Sequence, residues 1–179
     1  LLKNDSLSNS ILICGNKGIG KFSFLKNLIE ELIKIKVNTD KISHHISLLN
    51  NNSHPNIRIL NKETDEKTLK TKNYITIDQI RKLNHFSRET SSIEYLPKFI
   101  IIDSADDLNL NSSNALLKIL EEPPKKCLIF LISHNKSNVL DTIRSRSRIL
   151  KFSELNHEDT KLVIEELSII QNEEDLTKI

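Results

Sequence analysis

Methionine is absent from the 179-residue chain, cysteine occurs twice, and glycine occurs three times. The missing methionine, the Leu1-Leu2 start and the stop soon after a final helix pattern read as a fragment of a longer protein. Cys14 and Cys127 both sit in apolar, strand-like runs, which excludes a disulfide framework and reads as small core residues in a cytosolic protein. No apolar run reaches about eighteen residues and no signal-peptide pattern opens the chain, so neither a membrane span nor export is expected. Basic excess is lacking too. A net charge of +2 with 28% charged residues gives no global field for nucleic acid, although a local patch stays compatible with it. The length leaves room for one substantial α/β domain and part of another.

What is present begins at residues 15–22, Gly-Asn-Lys-Gly-Ile-Gly-Lys-Phe. The phosphate-binding pattern G-x-x-x-x-G-K-[ST] is met at Gly15, Gly20 and Lys21, with Gly18 inside the loop, and fails at Phe22. The flanks suit the motif. Ile11–Cys14 reads as a buried strand, and Phe22, Leu25, Leu28, Ile29, Leu32 and Ile33 recur at helical spacing after it. Backbone N–H groups at such a helix start face an anion, and Lys21 would reach its outer oxygens. The missing hydroxyl is the group that holds Mg²⁺ in loops of this type. Ser23 comes one residue too late, about 100° around the helix.

Residues 1–10 are polar and expected to fray, and the loop helix runs to about Lys36. Residues 38–73 are rich in Asn, Ser, His, Lys and Thr, with Ile57–Leu60 as their one strand-like run. His44, His45 and His54 lack the accompanying cysteines or paired carboxylates of a metal site and are expected to be solvated loop histidines. Thr76 and Gln79 form a capping box that opens a helix to about Arg88. Lys98–Ile102 reads as a buried strand, Asn111–Glu122 as a helix stopped by Pro123-Pro124, and Cys127–Ile132 as another strand. In the helix, Ala115, Leu116, Ile119 and Leu120 are expected to face inward. Arg148–Phe152 follows as a further strand, and Asn156 caps a final helix with Asp159 in its first turn. Apolar strands alternating with helices predict a parallel sheet covered on both faces.

A second chemical position lies at the end of the 98–102 strand. Asp103 is delivered to the C-terminal edge of the sheet, where the glycine loop also lies, and is placed to hold Mg²⁺. Ser104 follows it, and a hydroxyl with no neighbouring base cannot take a proton from water near neutral pH. Asp106 and Asp107, further on, are expected to be solvated or to form a cap. Two catalytic positions, Phe22 and Ser104, thus depart from what hydrolysis requires.

Three runs carry a family resemblance: Asp103-Ser104-Ala105-Asp106, then Asn114-Ala115-Leu116-Leu117-Lys118-Ile119-Leu120-Glu121-Glu122-Pro123-Pro124, then Thr142-Ile143-Arg144-Ser145-Arg146-Ser147. They resemble the AAA+ clamp-loader subunits of bacterial DNA polymerase III, over about residues 7–167. The middle run is shared with the gamma/tau motor subunits. The defects at Phe22 and Ser104, with Ser133-His134-Asn135, look like the delta-prime family instead. The resemblance implies an AAA+ P-loop NTPase domain over 1–152, an α/β parallel sheet with helices on both faces, and the start of a helical lid domain over 153–179. It implies that Arg146, in a Ser-Arg-Ser version of the family's Ser-Arg-Cys motif, acts in trans as an arginine finger on a neighbour's ATP, with Arg144 and Arg148 close by. Gamma/tau-type and delta-type subunits, the sliding clamp and primed DNA, held by its phosphates in the assembled complex, are the implied partners. Many relatives carry a four-cysteine zinc module, but residues 22–98 hold no cysteine, so no zinc is expected. Whether Gly15, Gly18, Gly20, Lys21 and Asp103 hold ATP or ADP without turnover stays open. An active gamma/tau-like ATPase and a nucleotide-binding adaptor outside replication are the alternative readings.

Overall fold

The structure is a computed structural model that describes residues 9–64, 69–93 and 95–154, together with Asp159 and Lys161. Five parallel strands, β1 (Ser10–Cys14), β2 (Ile57–Leu60), β3 (Lys98–Asp103), β4 (Cys127–Ser133) and β5 (Arg148–Lys151), form one sheet in the order β2-β3-β4-β1-β5. All five strands and the parallel sheet agree with the sequence reading. Side chains alternate across the pleat, so β3 sends Ile100 and Ile102 to one face and Phe99 and Ile101 to the other. The first face packs against α3 (Ile77–Arg88), α4 (Leu110–Glu121) and the short α5 (Asp141–Ser145). The second packs against α1 (Lys21–Lys36) and α2 (Ile42–Asn50). Each fully buried Ile or Leu contributes about 1.5–3 kcal/mol of apolar transfer, which favours this two-faced cover.

The helices start and stop for local reasons. Gly20 caps α1 in the left-handed region, and Lys34 and Lys36 in the last turn match the negative end of its dipole. Leu25, Ile29 and Ile33, four residues apart, form the buried stripe of α1, with Phe22 and Leu32 at its margin. Leu28 falls off that stripe and is exposed. The capping box at Thr76 and Gln79 is formed in both directions. In α4, Leu116, Ile119 and Leu120 are buried and Ala115 is partly so. The helix begins one residue earlier than its spacing suggests, because Asn109 supplies the cap through Oδ1 to the Ser112 N–H at 2.9 Å. Residues 1–8 and the cap expected at Asn156 lie outside the described residues, as does most of 153–179; Asp159 and Lys161 are helical.

Two expectations for residues 38–73 are overturned. The segment contains α2, whose Ile42, His45, Ile46 and Leu49 are helically spaced but diluted by Ser, His and Asn. His45 and His54 are not solvated: they are 7% and 1% exposed, and His45 Nδ1 lies 3.1 Å from His54 Nε2. Of these three histidines, His44 alone is exposed. The Asn56 N–H donates to His54 Nδ1 at 3.1 Å, so the neutral ring must carry its hydrogen on Nε2 and donate to His45. Burial first, then the neighbouring His45 and Arg58, bring the His54 pKa down to about 4.

That shift gives stability a pH dependence. Its contribution is full above about pH 6.5, the unfolded value, and is lost as pH falls towards 4, because the unfolded chain takes up a proton that the folded one refuses. We expect the urea midpoint to fall across that window, by up to roughly 1.4 kcal/mol per pH unit from this group. His54→Asn keeps an acceptor for the Asn56 N–H and should show a shallower slope. Equal slopes in the two proteins would exclude His54 as the source.

Candidate functional site

The C-terminal ends of β1, β4 and β3 lie side by side, through the pairs Cys14–Ser133 and Asp103–Ile132. The glycine loop leaves β1 at this edge, with the Gly15 N–H on the Ser133 carbonyl at 3.3 Å. The apolar strand therefore delivers the loop and Asp103 to one place, as the sequence predicts. Gly18 and Gly20 take φ of +87° and +82°, which side chains with a Cβ rarely adopt, so the loop keeps its glycines for conformation. Gly15 is needed for space. A Cβ there would lie 2.5 Å from the Phe152 carbonyl oxygen and 2.7 Å from Ile19 Cδ1.

Lys21 is 3% exposed, and its Nζ donates to the carbonyls of Gly15 at 2.7 Å and Asn16 at 2.6 Å. Burial lowers its pKa, against the attraction of Asp103 and Asp106. The loop's own carbonyls thus hold the ammonium that a phosphate would otherwise engage. Burial also pushes the Asp103 carboxyl above the ordinary carboxylate range, opposed by His134 and Lys21. Phe22 packs partly buried against the α1 side of the sheet, and Ser23 is exposed.

Asp106 is the residue that sequence reasoning misjudged. It is neither solvated nor merely a cap: it ties the end of β3 to the end of β4. Oδ2 accepts from Ser104 Oγ at 2.6 Å and the His134 N–H at 2.7 Å; Oδ1 accepts from the Asn135 N–H at 3.0 Å and Ser133 Oγ at 3.1 Å. Burial pushes its carboxyl up, but these bonds outweigh burial and hold it below its usual value. Asp107 is also engaged, accepting from Lys62 Nζ at 3.1 Å. The available signal was the Ser133-His134-Asn135 run, but nothing in one sequence pairs it with Asp106.

Mg²⁺ is the ion this kind of site implies, and the side chains do not fit it. Phe22 offers no ligand, the Ser104 hydroxyl is committed to Asp106, and Asp103 stands without a second oxygen donor from either degenerate position. Among the described residues, no group of three or more His, Cys, Asp or Glu is arranged to hold a metal ion. The glycines and lysine of the phosphate-binding pattern are in place; a hydroxyl residue directly after Lys21 and a carboxylate directly after Asp103 are not. Both cysteines are core residues, and burial pushes the Cys127 thiol up to about 11.

Arg146 lies away from the loop's chemistry, as the C-cap of α5 just before β5. Its Nη1 donates to the Thr142 carbonyl at 3.0 Å, and its Nη2 lies 2.9 Å from Glu121 Oε1 at the end of α4. Arg144 is occupied differently, by Asp141 and by the Lys136 carbonyl. Arg148 sits on the exposed edge strand.

Residues 1–156 match the family described as DNA polymerase III, delta subunit. The chain belongs to that family. Its relatives include the DNA polymerase III subunit delta' of Pseudomonas aeruginosa, 31% identical over 142 residues, and that of Bacillus subtilis, 29% identical over 156 residues. These alignments cover 78% and 86% of the chain but 41% and 45% of the relatives, so the chain spans less than half the length of either. In fold it is similar to a DNA polymerase III gamma subunit-related protein from Thermotoga maritima, with a TM-score of 0.58 at 19% identity, covering 89% of this chain and 46% of that one. The parallel α/β sheet with helices on both faces and the delta-prime family expected from the sequence both stand. Among the described residues no helix is long and apolar enough to cross a membrane.

Two substitutions test this geometry in a delta-prime-family domain. Asp106→Asn puts an NH₂ group against one of two backbone N–H donors whichever way it turns, and should lower unfolding free energy by about 1–3 kcal/mol in urea titrations. A loss under roughly 0.5 kcal/mol would mean that the carboxylate does not bind the two strands together. Gly15→Ala should cost about 1–3 kcal/mol, read by thermal unfolding, because the obstructing Phe152 atom is backbone.

Proposed function

We propose that the full-length protein is a non-hydrolysing subunit of the DNA polymerase III clamp loader that supplies Arg146 to the ATP of an adjacent gamma/tau-type subunit. The observation that carries this reading is the state of the hydrolytic position: the Ser104 hydroxyl beside Asp103 is bound to Asp106, and no general base stands in its place. A chain that keeps the scaffold without the chemistry serves as a rigid partner. Arg146 suits the trans role because its guanidinium is always ionised, presents a planar fork of donors to phosphate oxygens and is 37% exposed at the side chain.

In this reading Gly15, Gly18, Gly20 and Lys21 can still hold ATP or ADP without turnover, if the Lys21 ammonium exchanges the carbonyls of Gly15 and Asn16 for phosphate oxygens. Residues after 152 begin a lid domain, delta-type subunits are further partners, and primed DNA is gripped by its phosphates while the sliding clamp is loaded. Such work belongs in the cytoplasm.

The test is ATP hydrolysis by a clamp loader reconstituted with the full-length protein. Arg146→Ala should remove clamp- and DNA-stimulated turnover at the neighbouring site, by up to roughly 10³, with assembly intact. Lys21→Ala in the same complex should leave turnover unchanged. Unchanged turnover with Arg146→Ala would end the finger role and leave a scaffold or adaptor.

A further inference from the structure

Glu121 is the last residue of α4, where a carboxylate meets the negative end of the helix dipole and is disfavoured. A cation beside it relieves that penalty, and Arg146 supplies one at 2.9 Å. Both residues stand on fixed supports. The C-cap Glu122 and Pro123-Pro124 follow Glu121, and Ile143 of α5 is fully buried in the same apolar cluster as Leu116 and Leu120 of α4. The pair is therefore set by the packing of two helices rather than by two loose surface chains.

The bonds fall on the atoms that matter. Nη2 is taken by Glu121, and Nη1 by the Thr142 carbonyl with a longer contact of 3.4 Å to Ser145 Oγ. These two nitrogens are among those that a guanidinium offers to a phosphate in a two-pronged contact. Glu121 and a phosphate oxygen are thus competitors for one donor. With side chains 37% and 48% exposed, the ion pair is weak enough for a more highly charged anion to displace it.

We propose that Glu121 is a positioning counter-ion for Arg146, parking the guanidinium at the end of α4 until a neighbouring subunit presents a nucleoside triphosphate that takes it over. Finger engagement is then an exchange of one anion for another, and Glu121 raises the ATP concentration at which it occurs. This rests on the reading of Arg146 as a finger.

The experiment uses clamp loader reconstituted with the full-length protein as wild type, Glu121→Gln, Arg146→Ala and the double variant. ATP concentration is varied, and half-saturation and maximal stimulated turnover are read separately. Glu121→Gln should lower half-saturating ATP by about two- to fivefold, the range a partly exposed ion pair supports, and leave the maximal rate near wild type. The double variant should behave as Arg146→Ala alone. Unchanged half-saturation, a fall in maximal rate, or loss of assembly with Glu121→Gln would overturn the parking role while Arg146→Ala still removes turnover. If Arg146→Ala itself has no effect, the finger reading fails and the counter-ion role falls with it.

Discussion

The candidate site depends on one carboxylate. Asp106 accepts four hydrogen bonds, two of them from backbone N–H groups just past β4, and so fixes the ends of β3 and β4 against each other. A carboxylate that accepts several donors is held ionised and rigid even when partly buried. Asp103 and the glycine loop take their places from those strand ends. The same bonds also spend the Ser104 hydroxyl, so the arrangement that gives the edge its order removes a group that could otherwise have faced a ligand.

A phosphate loop and a catalytic centre are separable in physical terms. The loop needs glycine conformations, a helix start and an ammonium, and all three are present here. Hydrolysis further needs a metal ligand after the lysine and a base beside the strand-end aspartate. Phe22 and Ser104 leave the core intact, because Phe22 finds apolar neighbours and Ser104 finds Asp106. The fold therefore accommodates both residues without loss of the scaffold.

Much of this was legible in the sequence. Apolar runs such as Phe99–Ile102 are buried on both faces and read as strands without help from a partner, and the Thr76–Gln79 box is a local signal. Asp103 and Lys21 were found because strand–loop–helix geometry is short-range. Residues 42–60 were harder. In α2 the apolar stripe is completed by His45, which is polar by type and buried by context, since its partner His54 arrives nine residues later. Asp106 was misread for the same reason: three of its four donors are 27 to 29 residues away, and no local pattern announces a bond across two strands. The link between Glu121 and Arg146 is equally non-local.

The close seat of Phe152 on Gly15 carries a mechanical consequence. The carbonyl of Phe152 occupies the volume of a missing β-carbon, its N–H is bonded to the Cys14 carbonyl at 2.7 Å, and Asn16 holds Glu154 at 2.7 Å. The strand exit and the glycine loop are in effect geared together, tooth against notch, with glycine as the notch. Any side chain at position 15 would have to push the Phe152 carbonyl away, so glycine is what lets the exit of β5 and the start of the loop lie this close.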